Sequence, residues 1–152
     1  MKLLTQIGLM LIATSSFAQE EQFRETHYNI NNDKVVNDGY DPVSYFDGNP
    51  LQGNKELDYT YSGVIYWFSS ESNRTKFIEN PIKYEPQYGG WCAYALGLKP
   101  EKVKVDPKTY KIIDGKLYLF YNFYLTNTLK SWNKDEKNLK SKADKNWKIF
   151  IQ

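Results

Sequence analysis

Alternation of apolar and polar residues predicts two antiparallel hairpins in the middle of the chain. Residues 57–68 (LDYTYSGVIYWF) place tyrosines at alternate positions before a Ser-Gly turn, and a β-branched and aromatic run follows the turn. Residues 110–121 (YKIIDGKLYLFY) surround an Asp-Gly pair, which is a strong signal for a two-residue hairpin turn. A further short strand is predicted at residues 102–105, separated from the second hairpin by an Asp-Pro break.

Capping residues predict short helices around these hairpins. Asp41 before Pro42 is typical of an N-cap followed by proline at the first helical position, which indicates one short helical turn. Ser69 or Ser70 is the expected N-cap of a helix that continues to about Glu79, where an Asn-Pro pair ends it.

The C-terminal part of the chain has helical spacing from about residue 125. Two stripes of apolar residues recur at intervals of three and four, namely Leu125, Leu129 and Trp132, and then Leu139, Ala143 and Trp147. Asn133, with Glu136 three residues later, fits a capping box for the second stripe. We therefore predict an α+β fold over residues 35–152, with two antiparallel hairpins, short helices and a C-terminal helical segment.

The N-terminal residues are typical of a secretory signal peptide. A short positive region precedes an apolar run that is too brief to span a bilayer. The run ends in small residues at the positions that a signal peptidase requires for cleavage after Ala18. We expect cleavage there, which assigns residues 1–18 to a signal peptide and the mature protein to the periplasm or the extracellular medium. Residues 19–34 are predicted to form a polar N-terminal arm, and no later segment is apolar enough to span a membrane.

Composition limits the classes of partner and the sources of stability. A net charge of +2 is too small to indicate nucleic-acid binding. The single cysteine cannot form an internal disulfide, so packing must stabilise the fold. With 13 Tyr and 4 Trp among 152 residues, the core is expected to be aromatic and partly polar.

The segment 84–106 contains the most promising chemistry. Cys92 follows two adjacent glycines in an aromatic stretch, and a thiolate suits Cu(I) or Zn(II), whereas a buried cysteine often acts as a small hydrophobic residue. His27 is the other candidate metal ligand, because both methionines lie in the predicted signal peptide. A Cys92–His27 metal site and a purely structural Cys92 are both open interpretations.

Aromatic residues around Cys92 suggest a pocket for a small organic ligand, and a tyrosine-rich core is the alternative interpretation. The candidate lining residues are Trp91, Tyr94, Tyr88, Tyr45, Tyr66 and Trp67. Catalysis is least favoured, because the chain offers one imidazole as a base and no nucleophile elbow. The seven lysines between residues 130 and 148 form either a solvated face or a contact for anionic lipid.

The order of motifs resembles the exported YHS-domain proteins of bacteria over Gly39 to Phe150. The matching stretches are GYDPVSYF, YSGVIYWFSSESNRTKFIENPIKYEPQYGGWCAYALG, KVDPKTYKIIDGKLYLFYN, WNKD and ADKNW. The resemblance implies a non-enzymatic domain that handles metal, copper before zinc, because the wider group is similar to TRASH-type metal-binding domains. The metal-binding cysteines of that group would fall at Ser44, Ser69 and Asn73, none of which is cysteine.

Overall fold

The computed structural model describes residues 16–151, and these form a small α+β domain with three two-stranded antiparallel sheets. The first sheet pairs β1 (Asn54–Tyr61) with β2 (Val64–Phe68), and the second pairs β3 (Asp106–Ile113) with β4 (Lys116–Phe120). The third pairs the short strands β5 (Asn122–Phe123) and β6 (Thr126–Asn127). The helices are α1 (residues 16–27), α2 (Glu71–Glu79), α3 (Pro81–Tyr84), α4 (Ala93–Leu98), α5 (Thr128–Trp132) and α6 (Glu136–Lys148). Short 3-10 turns occupy Asn37–Gly39, Ser44–Asp47 and Gln87–Gly90.

Both predicted hairpins are confirmed, including their two-residue turns. Tyr61 pairs with Val64 in the first hairpin, and Ile113 pairs with Lys116 in the second. All four turn residues have positive φ, as the hairpin twist requires, with values between 44° and 83°.

The predicted helix after the first hairpin is also confirmed, and Ser70 is its N-cap. The Ser70 hydroxyl accepts a hydrogen bond from the backbone N–H of Asn73 at 3.2 Å. In α6, Leu139 and Ala143 are buried, as their spacing predicts.

The prediction of a separate strand at residues 102–105 is wrong. The backbone N–H of Cys92 donates to the Val103 carbonyl at 3.0 Å, so this segment runs beside Cys92 and outside the sheets. Strand β3 instead begins at Asp106 and continues through Pro107, with an irregular register between Asp106 and Tyr110. Such an irregularity accommodates a proline, which has no N–H for the ladder.

The prediction of a helix from residue 125 is wrong at its start. Leu125 lies in the turn between β5 and β6, and Asn127 caps α5 by accepting a hydrogen bond from the backbone N–H of Leu129. Asn133 lies at the end of α5, so the predicted Asn133–Glu136 capping box does not form. The spacing of Leu125 matched a helical stripe, although the local hairpin determines its conformation.

The segment 19–34 is helical as far as residue 27 and then packs along the domain. The backbone N–H of Asn29 donates to the Gly89 carbonyl at 2.8 Å, and Ile30 bridges to Val36. Helix α1 passes through the predicted cleavage position after Ala18, and residues 1–15 of the predicted signal peptide lie outside the described residues. Within residues 16–151, no helix has both the length and the apolar character that a membrane span requires.

Strand β4 is buried on both faces, as its apolar pattern predicts. Leu117 and Leu119 pack in a cluster with Cys92, while Tyr118 and Phe120 pack in a cluster with the fully buried Trp132. The segment from Pro86 to Cys92 runs parallel to β4, with isolated bridges to Leu117 and Leu119. A further cluster joins β2 to α2 and contains Tyr66, Phe68 and Phe77.

Substitution of Gly90 should cost more free energy of unfolding than substitution of Gly115, although both residues have positive φ (85° and 72°). A Cβ atom at Gly90 would lie 2.3 Å from Oδ1 of the buried Asn37, whereas nothing lies within 4 Å at Gly115. We expect roughly 1 kcal/mol for Gly115→Ala, from backbone strain alone, and about 3 kcal/mol for Gly90→Ala. Urea unfolding measures both, and equal losses would contradict the close approach.

Candidate functional site

A cleft of about 420 Å³ opens where the end of α1, the segment 82–89 and α6 meet. The rings of Tyr28, Tyr88 and Trp147 supply its aromatic wall. Its other lining residues are Ile82, Glu85, Pro86, Gln87, Gly89, Lys116, Asp144, Lys148 and Ile151. A cavity of this size lies within the range of roughly 300–1,000 Å³ that small-molecule sites occupy.

Tyr88 is held rigidly in the wall of the cleft. Its φ of 57° is left-handed, which is uncommon for a bulky residue, and its ring contacts Tyr118 and Trp147 edge to face. Its hydroxyl donates to Oδ1 of Asp144 at 2.8 Å. Burial raises the pKa of Tyr88, and the hydrogen bond to Asp144 raises it further, so the phenol stays protonated.

A buried ion pair fixes Glu85, another residue that lines the cleft. The Arg24 guanidinium donates to Oε1 of Glu85, and the Tyr66 hydroxyl donates to the same oxygen at 2.5 Å. Burial disfavours the charge on Arg24, but the hydrogen bond and the charge of Glu85 outweigh it and raise the pKa of Arg24. Burial and the nearby Glu85 charge raise the pKa of Tyr66 well above its usual value. One oxygen of the Glu85 carboxylate therefore accepts from both Arg24 and Tyr66.

Tyr28 reaches the cleft because Gly89 has no side chain. A Cβ atom at Gly89 would lie 2.7 Å from the Tyr28 ring, and Gly89 has a φ of 60° that favours glycine. The Arg24 guanidinium lies 5.0 Å from the centre of the Tyr28 ring, a cation–π contact that orients the ring.

The charges that face the cleft are positive on balance. Arg24 neutralises Glu85, which leaves Asp144 opposite Lys116 and Lys148. Neither lysine forms an ion pair with another residue of the range 16–151, and both are exposed. The arrangement suits a molecule that combines a flat apolar body with a negative group.

Cys92 lies in the core and away from this cleft. Its sulfur accepts a hydrogen bond from the backbone N–H of Tyr121 at 3.3 Å and lies 3.5 Å from Oγ1 of Thr128. Tyr45 is in the same cluster, with its hydroxyl donating to the Pro107 carbonyl at 2.7 Å, and burial raises the pKa of Tyr45. These contacts agree with the structural interpretation of Cys92.

His27 is placed at the end of α1, where it has partners other than Cys92. Its Nδ1 lies 2.8 Å from Nζ of Lys102, and its ring stacks on Phe23 at 4.9 Å. The indole of Trp91 donates to the His27 carbonyl at 2.6 Å, which fixes this end of the helix. The described contacts therefore do not join Cys92 and His27 in one site.

The remaining predicted pocket residues are dispersed through the fold. Tyr66 belongs to the cluster under α2, and the Trp67 ring lies close to Gly39. The half-buried Tyr94 packs against the cluster that contains Cys92. Of the predicted set, Tyr88 alone is among the residues that line the cleft. Sequence reasoning missed Tyr28, Lys116, Asp144, Lys148 and Trp147 as site residues, because each fitted an arm, a turn or a helical stripe.

The positions of the resembling family's thiolate ligands form a hydrogen-bonded network here. The fully buried Asp41 accepts hydrogen bonds through Oδ2 from the Ser69 hydroxyl at 2.6 Å and the Asn73 amide at 2.7 Å. The Ser44 hydroxyl donates to the Asp41 carbonyl at 2.7 Å and accepts from the backbone N–H of Leu51. These hard, mutually satisfied groups do not fit a soft metal such as Cu(I).

The described part of the chain also lacks a cluster of side chains suited to a metal ion. Among residues 16–151, no three His, Cys, Asp or Glu side chains form a group that could hold a metal ion. Copper or zinc binding therefore stays a prediction from the resemblance.

Comparison with protein-family models, with curated proteins and with solved structures finds no match to this chain. The resemblance to YHS-domain proteins accordingly stays a prediction from the quoted motifs.

Removal of Arg24 should strongly destabilise the domain. Arg24→Met leaves the buried Glu85 carboxylate without its cation, which typically costs about 3–5 kcal/mol. The double variant Arg24→Met/Glu85→Gln should recover part of this loss, because the glutamine oxygen can still accept from Tyr66. Urea unfolding compares the variants with Glu20→Gln, which removes the exposed partner of Arg24 and should cost less than about 1 kcal/mol. A loss for Arg24→Met no larger than this control would contradict the role of the buried pair.

Acidification should weaken the attachment of α1 through His27. Burial and the positive charge of Lys102 lower the pKa of His27 in the folded state, and its unfolded value is about 6.5. The neutral imidazole therefore contributes stability that is complete above about pH 6.5 and is lost as the pH falls through the lowered folded pKa.

Thermal unfolding at pH 7.5 and pH 5.0 tests this sign. The fall in melting temperature should be larger for the unmodified protein than for His27→Gln, since glutamine does not titrate. Parallel falls in the two proteins would show that His27 carries none of the pH dependence.

Proposed function

We propose that this protein is an exported, non-enzymatic binding domain of the YHS type that takes a small anionic aromatic molecule in the cleft beside Tyr88. The observation that carries the proposal is the combination, in one preformed cleft, of three aromatic rings and two lysines that form no ion pair within residues 16–151. A small organic ligand is the alternative to metal that the sequence indicates, and we place its site in the cleft and not around Cys92.

The polar groups behind the cleft support binding and argue for a rigid site. Glu85 is engaged by Arg24 and Tyr66, and Asp144 is engaged by Tyr88. Because these groups are already paired, a ligand need not reorganise them, and less free energy is lost on binding.

The positive charge of the two cleft lysines favours an anionic ligand. Lys116 lies at the start of β4 and Lys148 at the end of α6, and both line the cleft, so each can attract a carboxylate or sulfonate that enters it. A flat ring system can stack against Tyr28 and Trp147, which line the cleft and are only half-buried.

Binding of 8-anilinonaphthalene-1-sulfonate to the natively folded protein tests the proposal. We expect saturable binding with one site, and a decrease in affinity of about 3–10-fold for Lys116→Gln/Lys148→Gln, as two partly screened charges would give. Both lysines are exposed, so the fold should be unaffected.

The matched control is Lys142→Gln/Lys145→Gln, which removes the same charge from α6 outside the cleft. Near-ultraviolet circular dichroism establishes that each variant is folded, because loosely packed proteins also bind this dye. Equal decreases for the two lysine pairs, or non-saturable binding, would contradict the proposed site.

A further inference from the structure

The hairpin of β5 and β6 carries an exposed apolar tip. Tyr124 and Leu125 form its two-residue turn, with φ values of 50° and 66°. Their relative exposures are 94% and 108%, and the adjacent Phe123 is 42% exposed. These three residues, called the apolar tip below, project from the domain.

Neither backbone preference nor packing accounts for the residues of the apolar tip. A turn with two left-handed residues favours Asn-Gly, and bulky side chains are strained there. Tyr124 and Leu125 also leave their apolar surface in water, and ordinary burial cannot explain their presence. The tip is nevertheless held in place, because the Phe123 ring contacts the Tyr121 ring at 5.1 Å.

Two exposed lysines neighbour the hairpin that carries the apolar tip. The Asn122 side chain donates to Oγ1 of Thr109 at 2.9 Å, which places the hairpin beside the exposed Lys108 of β3. Lys130 follows the hairpin in the short helix α5 and is also exposed. From Lys116 to Lys134 the sequence contains no acidic residue. The nearby Asp106 carboxylate is engaged by the backbone N–H of Lys108 and the hydroxyl of Thr109.

We propose that the apolar tip inserts into the headgroup region of an anionic lipid bilayer. Tyrosine favours the interface between water and hydrocarbon, and lysines beside an inserted apolar group are attracted to anionic headgroups. A protein partner fits less well, because three projecting side chains offer far less than the roughly 800 Å² that each partner of a stable interface buries.

The lipid contact is separate from the cleft. Lys116 lies at the cleft end of β4, and the hairpin follows Phe120 at the other end, about 13 Å further along at the usual rise per residue. The protein can therefore bind lipid through the tip while the cleft stays open, and the failure of either proposal leaves the other standing.

Co-sedimentation with vesicles measures the interaction directly. We expect the full chain to bind vesicles of equal phosphatidylglycerol and phosphatidylcholine, and to bind pure phosphatidylcholine at least tenfold more weakly. Tyr124→Asn/Leu125→Gly removes the apolar groups and installs the residues that the turn prefers. This variant should lose at least tenfold in binding to the anionic vesicles while its melting temperature is unchanged or raised. Lys108→Gln/Lys130→Gln should weaken binding and reduce its dependence on salt.

A fluorescent label reports whether the tip enters the lipid. An environment-sensitive nitrobenzoxadiazole group at Leu125→Cys should shift to shorter wavelength on addition of the anionic vesicles, and Cys92 is buried and should not be labelled in the native state. The control is Ile82→Cys, which is 75% exposed but lies at the cleft end of the domain and should not shift. Absence of vesicle binding by the unmodified protein, undiminished binding by Tyr124→Asn/Leu125→Gly, or equal shifts at both labels would each overturn the proposal.

Discussion

The buried ion pair between Arg24 and Glu85 is the interaction on which the arrangement of the cleft depends. A charge that is removed from water is tolerated only with a partner of opposite sign and good hydrogen bonds. Arg24 is part of α1 and Glu85 follows α3, so satisfaction of the pair brings two distant parts of the chain together. The Tyr66 hydroxyl donates to the same carboxylate oxygen, which couples the pair to the core under α2.

Gly89 and Gly90 allow the residues after α1 to pack closely beside the cleft. Gly89 gives room to the Tyr28 ring and Gly90 gives room to Asn37, so the end of α1 lies directly on the backbone of the segment that follows Pro86. That segment runs beside β4, whose two faces are both buried. The wall that carries Tyr88 is consequently supported by the most buried strand of the described domain and cannot easily move aside.

Local signals predicted the hairpins, their turns and α2, because each depends on residues that are close in sequence. The β5–β6 hairpin escaped prediction because Tyr124 and Leu125 lack the usual turn chemistry, and only the structure shows their positive φ. The cleft could not be predicted from the sequence, because its aromatic wall combines residues as far apart in the chain as Tyr28 and Trp147. Cys92 attracted attention as the single thiol, yet sequence could not show that Tyr121 satisfies its sulfur.

Asp41 is the centre of a buried hydrogen-bonded network at the place where the resemblance would put metal ligands. The sequence resemblance placed soft ligands at Ser44, Ser69 and Asn73. The structure gathers these residues around Asp41, with Ser69 and Asn73 donating to its carboxylate and Ser44 donating to its backbone carbonyl. Hydrogen bonds within the chain hold together the first turn and the start of α2 at this point. The groups around Asp41 are therefore satisfied by hydrogen bonds within the protein. Binding partners should be sought at the cleft lysines and the apolar tip, because packing within the described domain does not explain those residues.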